Sequence, residues 1–447
     1  MKKIVILGAG PTGLGAAYQL CKLGYENWQI YEKNNFIGGL SASFKDEAGF
    51  TWDIGGHIIF SNDKRFNHLV DTLLKNDMLT FNRESWIWLN DNFIKYPFQN
   101  NFHLHPDKKI VFDCILGLLD NLNKKKSYKN FKEWIYSTFG EGIARHFMIP
   151  YNKKVWAFPL NKMDYNWISE RVSIIDINKI LKNIIYQRDD SNWGPNNTFR
   201  YPLSGGIHGL FNKFLPYTKG HLNLYKEAVK VHLDKKEIIF KDGEKVSYDV
   251  LISTIPLNEL LMKVKVKQGE IKKAGTKFCW NSGYIVGIGI KKPCPCKKNW
   301  MYFPQNDSPF YRVTYLSNYS PNMTPGNGFF SFLAESSYSK YKTLSRESIV
   351  EETIQGLINS RLLSEKDRSL IISTYLIDAP YLFPIPFLGR DNILMYVQSF
   401  LVKKGVFSRG RFGGWKYEIG NMDHSVLQGI EVVERILFGK EERVYKS

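Results

Sequence analysis

Six residues near the start, Gly8-Ala9-Gly10-Pro11-Thr12-Gly13, and an acid nineteen positions past the last of them, Glu32, have the types and spacing to hold a dinucleotide. Gly8 permits a tight turn, Gly10 lets backbone approach a pyrophosphate, and Gly13 lets a helix lie close against a strand. A helix that starts here points its free N–H groups and positive dipole end at the phosphates. Glu32 is placed to accept hydrogen bonds from the hydroxyls of an adenosine ribose. Two further glycine pairs point to a flavin rather than a nicotinamide. Gly38-Gly39-Leu40 offers a second close approach of backbone to cofactor. Gly55-Gly56, just after Asp53, lets backbone lie against an isoalloxazine and sets His57 beside the reactive ring. FAD is therefore the expected cofactor.

These residues need a strand, a turn, a helix and a second strand to position them. The apolar run at 2–7 reads as a buried parallel strand, 14–23 as a helix rich in Ala and Leu, and 28–31 as a strand ending on Glu32. The stretch 113–188 has helical periodicity. The runs 229–233, 237–240 and 250–254 read as strands of one small sheet returning to the first unit, and 283–290, 300–303, 310–316 and 329–334 as further strands. Near the end, Arg409-Gly410-Arg411 precedes a helix over 425–437. The expected fold class is α/β: a Rossmann-like FAD-binding domain assembled from 1–78, 205–258 and 395–447, an inserted helical domain at 102–190 with a mobile lid, and an antiparallel β-sheet substrate domain at 79–101, 191–204 and 259–394.

Composition bounds the alternatives. With 447 residues, two or three subdomains are expected, and 43% hydrophobic with 23% charged residues is ordinary for a globular chain. Aromatic residues make up 15%, which suits planar ligands as well as dense cores. The formal charge of +18 raises nucleic acid as a partner, but the lysines are diffuse. The densest patch, Lys124, Lys125, Lys126 and Lys129, reads as a solvated helix start, and no nucleic-acid motif accompanies it. Five cysteines form no disulfide framework, and Cys294-Pro295-Cys296 is too closely spaced for a zinc pair, so no metal is expected and a cytoplasmic location is. The first apolar run is too short for a signal peptide, and nothing has the length for membrane insertion.

Longer strings narrow the reading. They are Asp53-Ile-Gly-Gly-His-Ile-Ile-Phe-Ser61, Tyr96-Pro-Phe-Gln-Asn-Asn101, Pro150-Tyr-Asn-Lys-Lys-Val-Trp156, Ser169-Glu-Arg-Val172, Asn192-Trp-Gly-Pro-Asn196, Tyr302-Phe-Pro304, Phe310-Tyr-Arg312, Ser317-Asn-Tyr-Ser320 and Ser408-Arg-Gly-Arg-Phe-Gly-Gly-Trp-Lys-Tyr417. In this order, over nearly the whole chain, they resemble the UDP-galactopyranose mutase family in its eukaryotic-type branch.

The resemblance implies an isomerase that uses FAD without net redox change. Reduced flavin N5 attacks the anomeric carbon of a UDP-sugar, the sugar recloses through another hydroxyl, and UDP returns. NADPH or NADH is the implied reductant. By similarity, Tyr96, Phe98 and Gln99 hold the uracil, with Phe147, Met148, Asn152 and Trp156 lining the same pocket. Arg171 and Arg312 clamp the diphosphate, while Tyr302 and Tyr417 reach it through their hydroxyls. Val172, Asn196 and Tyr319 complete the substrate set. His57 lies beside the flavin, with Arg411 near its far edge. Val229, Gly410, Asn421, Met422 and Ser425 join the glycines and Glu32 at the cofactor. The segments 171–176 and 191–197 are implied lids. One departure stands out: Phe383 occupies the place of a family tyrosine, with Tyr381 two residues away. Other readings are the same chemistry on a deoxy or N-acetyl sugar nucleotide, an amine-oxidase-like or protoporphyrinogen-oxidase-like oxidoreductase, and a non-catalytic flavin-binding protein. Monomer or dimer is expected.

Overall fold

Ile4–Leu7 is wholly buried, as a run of four apolar residues must be when helices cover both faces of a sheet. It is the central strand of a five-stranded parallel sheet, whose order is Val406–Ser408, Val250–Ser253, Ile4–Leu7, Trp28–Tyr31 and Leu222–Asn223. This computed structural model describes residues 1–122, 127–168, 172, 175–190, 197–265 and 269–446. Chain order reverses on either side of Ile4–Leu7, which opens a crevice at the carboxyl ends of the strands.

The sequence reading misplaces Val250–Ser253. It pairs with Ile4–Leu7, not with the small sheet that 228–232, 237–240 and 245–247 form with 264–265. Its four residues are all buried, the signature of a parallel interior strand rather than of a half-solvated hairpin.

The helix Pro11–Lys22 has proline at its first turn and Gly10 as a cap without a side-chain hydrogen bond, so its first N–H groups are left for a ligand. It crosses the last helix, Met422–Phe438, at two glycines. A Cβ on Gly15 would sit 2.3 Å from the carbonyl oxygen of Val426, and one on Gly429 would sit 2.0 Å from that of Thr12. The second helix begins three residues before the predicted start, so its first turn also faces the crevice.

Helices Lys108–Asn121, Phe131–Ile143 and Ile177–Tyr186 begin on Asp107, Asn130 and Asp176, whose side chains accept from backbone N–H groups. Between Phe131–Ile143 and Ile149–Trp156, residues Ala144–Met148 form a π-helical turn. The run of lysines at 124–126 lies outside the described residues.

A seven-stranded sheet faces the crevice, in the order Ile371–Pro384, Trp280–Ile290, Phe330–Tyr338, Arg312–Tyr315, Trp300–Tyr302, Ser85–Leu89 and Asn92–Lys95. It is mixed rather than antiparallel, because Trp300–Tyr302 pairs parallel with Ser85–Leu89. That hairpin comes from a remote part of the chain, so no tight turn fixes its direction. The strand Ile371–Pro384 is absent from the sequence reading. Pro380, Pro384 and Asp378 argue against a strand, but it lies at the sheet's edge, where proline is tolerated. Among the described residues, no helix is long and apolar enough to cross a membrane.

Candidate active site

The crevice and the large sheet enclose one continuous cavity of about 860 Å³, near the upper end of the ~300–1,000 Å³ usual for ligand sites. At one end lies the glycine turn. Gly8 has φ +97°, and a Cβ on Gly13 would stand 1.9 Å from the Gly8 carbonyl oxygen, so helix and turn meet at van der Waals distance. A Cβ on Gly10 would meet only the Cα of Gly39, at 3.9 Å. The two glycines thus meet backbone to backbone, a Cβ on Gly39 standing 3.3 Å from the Gly10 Cα, and form the side-chain-free floor of a slot along the cavity wall. The Glu32 carboxylate, at the end of its strand, accepts from the N–H of Ala9 at 2.8 Å and from Asn34. It is held at the cavity wall by the same turn that makes the slot.

At the other end the lining is made of side chains. Arg312 donates from Nε and Nη2 to the two oxygens of Glu335, at 2.6 and 2.8 Å, and from Nη2 to the carbonyl of Gly56 at 3.1 Å. Glu335 also accepts from the Tyr311 hydroxyl at 2.8 Å and the N–H of Gly56 at 3.0 Å. Burial alone would push the Glu335 carboxyl up, but the Arg312 charge and these donors outweigh it and hold it below the usual carboxylate range. Arg312 is thus fixed and charged, with a face to the cavity.

His57 joins the two ends. Its Nδ1 lies 3.1 Å from the carbonyl of Gly55. A carbonyl only accepts, so Nδ1 carries the proton and Nε2 the lone pair. Burial, with the Arg312 and Arg411 charges, lowers the imidazole to about 4 against the pull of Glu335, so the ring is neutral at ordinary pH.

Aromatic side chains form the remaining wall. Phe147 stacks on Tyr151, with centroids 5.2 Å apart, and both face the cavity beside Tyr96, Gln99 and Met148. The π-helical turn is what brings Phe147 and Met148 there. Asn152 is fixed by donating to the Met148 carbonyl and accepting from the Trp156 indole. The Trp300 indole donates to the Tyr302 hydroxyl at 2.8 Å, which leaves that hydroxyl's own proton to donate elsewhere. The Arg411 guanidinium stands 5.1 Å over Phe383 and 5.6 Å from Tyr417.

Of the residues singled out from sequence, Gly8, Gly10, Glu32, Gly39, Leu40, Gly55, Gly56, His57, Tyr96, Gln99, Phe147, Met148, Asn152, Trp156, Val172, Tyr302, Arg312, Tyr319, Gly410, Arg411, Tyr417, Asn421, Met422 and Ser425 line the cavity. Four do not. Gly13 and Gly38 shape the turns behind it, with Gly38 donating to the Ala9 carbonyl at 2.8 Å. Phe98 is fully buried beneath Phe147. Val229 is 41% exposed, and Ala228, one position before it on the strand, faces the cavity instead, as strand alternation requires. Arg171 and Asn196, with Ser169, Glu170 and the segment 191–196, lie outside the described residues. Tyr381 also lines the cavity, and its hydroxyl accepts from the Asn258 amide at 2.9 Å. The sequence reading singles out neither Glu335 nor Tyr311. A signal is present for Glu335: it is the sole charged residue in the buried strand Phe330–Tyr338.

A dinucleotide crevice facing a mixed sheet, with a histidine and a fixed arginine between them, defines a class, the flavoproteins built on the amine-oxidase plan. The model of the flavin-containing amine oxidoreductase family matches residues 11–359. Within that plan the chain belongs to the UDP-galactopyranose mutase family. It is 41% identical to a solved reduced UDP-galactopyranose mutase, with 99% of this chain and 96% of that one covered and a TM-score of 0.96. A fatty acid isomerase from P. acnes has the same fold at 15% identity and a TM-score of 0.65, covering 98% of this chain and 99% of its own. A 4,4'-diapophytoene desaturase of Staphylococcus aureus is 44% identical over 61 residues, which are 14% of this chain and 12% of the desaturase. The chain thus spans only a small part of the curated relatives it matches.

Proposed function

We propose that this enzyme interconverts UDP-galactopyranose and UDP-galactofuranose, with FAD along the glycine slot and the UDP-sugar between His57 and the aromatic wall. The carrying observation is Arg312, locked by Glu335 and turned into the same cavity as the glycine turn. The protein's residues fit FAD: the side-chain-free floor at Gly10 and Gly39 lets a pyrophosphate approach the backbone, and the helix N-terminus at Pro11 supplies N–H groups to it. Glu32 takes the ribose hydroxyls, and Arg411, Asn421, Met422 and Ser425 close the far side. When bound and reduced, FAD supplies a nucleophilic nitrogen for the anomeric carbon and is recovered unchanged.

The chain's own residues do the rest. Tyr96, Gln99, Phe147, Asn152 and Trp156 hold the uracil in an apolar slot with polar ends. Arg312 and, by the family resemblance, Arg171 meet the diphosphate, and Tyr302 and Tyr417 donate to it. These bonds strengthen as negative charge builds on the departing UDP, which is how binding becomes catalysis. Neutral His57 offers a lone pair, not a positive charge, to whatever lies against Gly55 and Gly56. NADPH or NADH supplies the electrons that keep the enzyme active.

The test is incubation of the dithionite-reduced, FAD-loaded enzyme with a panel of nucleotide sugars, with products separated by chromatography. UDP-galactofuranose should convert to UDP-galactopyranose with no reductant consumed per turnover. Peroxide formed from an amine and oxygen, or one reductant spent per product, would sink the proposal.

A further inference from the structure

The loop between Trp280–Ile290 and Trp300–Tyr302 reads Lys291-Lys-Pro-Cys-Pro-Cys-Lys-Lys298. Neither of its cysteines lines the cavity. Both are half-buried and pack against the same apolar cluster, so their side chains lie on one side of the loop. The Cys294 thiol donates to the carbonyl of Cys296 at 3.3 Å. For that contact the chain must fold back about Pro295, which brings the first sulfur to the residue that bears the second. Asn318 fixes the fold. Its Oδ1 lies 3.3 Å from the Cys294 sulfur, and its Nδ2 donates to the carbonyls of Cys296 and Lys298 at 3.0 and 2.7 Å. The Tyr315 hydroxyl lies in hydrogen-bond contact with the Cys296 side chain.

The surroundings favour thiol exchange over metal binding. Among the described residues, no group of three metal-ligating side chains exists. Lys292 pairs with Asp367 at 2.9 Å and Lys298 lies over Trp86 and Phe93, which leaves Lys291 and Lys297 exposed beside the thiols. Those ammonium groups attract an anionic disulfide, while burial pushes the Cys294 thiol up, so the first attack falls to Cys296. The Tyr315 hydroxyl can donate to a thiolate at Cys296.

We propose that Cys294 and Cys296 form a reversible thiol–disulfide pair that exchanges with small, anionic disulfides such as oxidised glutathione. The Cys296 thiol loses its proton and attacks one sulfur of the small disulfide. A mixed disulfide forms and one small thiolate leaves, taking up the proton. The Cys294 thiol then loses its proton and attacks the Cys296 sulfur, expelling the second small thiolate, which takes up that proton. Two protein thiols are oxidised by two electrons, and one small disulfide is reduced to two thiols. The pair packs against the cluster that holds Met301 and Val313, which alternate with Tyr302 and Arg312 on their strands.

The test uses the full FAD-loaded protein in graded mixtures of oxidised and reduced glutathione, quenched with acid, alkylated and read by peptide mass spectrometry. The peptide containing both cysteines should lose both alkylation sites together, become lighter by two hydrogens and keep no glutathione, with flavin retained. Cys294→Ser should hold one glutathione on Cys296. The folded protein should close the ring at an oxidised-to-reduced ratio about tenfold lower than the free peptide of residues 291–298, because the fold holds the thiols together. Full alkylation of both cysteines at every ratio would overturn the proposal, as would glutathione retained on the wild type, or ring closure no easier in the protein than in the peptide.

Discussion

The two ends of the cavity prepare for phosphate by different means. At the Gly8–Gly13 end the work is done by backbone: a side-chain-free floor at Gly10 and Gly39 and an uncapped helix start. At the other end a single guanidinium is held by a carboxylate twenty-three residues further along the chain, which in turn grips a glycine 279 residues before it. The first arrangement suits a cofactor that stays, since it is rigid and shape-selective. The second suits a group that must leave charged and return, since a fixed positive charge stabilises most when negative charge grows. Local sequence is enough to build the first, whereas the second exists only once two strands and a loop have met.

Gly10→Val should break the comparison at the cofactor end. The side chain presses against Gly39 and covers the glycine floor, so the purified protein should lose flavin absorbance altogether, and retained flavin would refute that role. Arg312→Ala should break it at the other end with flavin kept. Loss of a charged partner of this kind costs about 2–5 kcal/mol, roughly thirty-fold to several thousand-fold in turnover and UDP affinity combined. Arg312→Lys should recover only part, for want of the planar fork. Near-native kinetics in Arg312→Ala would remove the clamp from the mechanism.

Glu335→Gln asks whether Arg312 acts alone. It keeps the shape but halves the fork and leaves a buried guanidinium without its anion. UDP affinity should fall about tenfold to a hundredfold, and stability should drop by about 3 kcal/mol. Because both residues serve one clamp, the double variant with Arg312→Ala should lose little more than the single ones. Additive losses would show that Glu335 supports the fold and not the arginine.

The legibility of the sequence divides along the same line. Gly8, Gly10, Gly13 and Glu32 can be read off because each role is set by neighbours within one strand–helix–strand unit. The aromatic wall and Arg312 are reachable only through resemblance to a family. Glu335 stays hidden because its partners are remote, although one acid in an apolar strand is itself unusual. Val250–Ser253 falls to the wrong sheet because a short apolar run does not say which neighbours it will take. The edge strand Ile371–Pro384 escapes because its prolines carry the wrong local signal.

His57 sharpens the comparison, since it touches both halves. Its folded-state value of about 4 lies below the ordinary 6.5, so the unfolded chain takes up a proton first on acidification. The stability that neutral His57 contributes is therefore complete above about 6.5 and is lost as the pH falls towards 4. His57→Gln should lose less stability than the wild type between pH 7 and pH 5, by on the order of 2 kcal/mol. Denaturant unfolding of the FAD-loaded proteins at both pH values measures this. Equal losses, or an imidazole that titrates near 6.5 by NMR, would contradict the burial argument.

Phe383→Tyr carries the smallest expected effect and bears on the substrate half alone. Phe383 faces the cavity between Trp156, Tyr311 and Tyr417, with ring centroids 5.9, 6.3 and 5.8 Å away, and Arg411 stands over its ring. Its backbone is fixed by Asn281, which accepts from its N–H at 2.9 Å, so the ring's position should survive the change. An added hydroxyl restores the donor that the family carries here. One further hydrogen bond to a phosphate should be worth about 1 kcal/mol, roughly a fivefold gain in UDP affinity. FAD affinity should not move, since the flavin's phosphates lie at the glycine end. A UDP titration followed by flavin absorbance reads both at once. Unchanged or weaker UDP binding would mean that the diphosphate lies away from this ring and that Tyr302 and Arg312 already satisfy it.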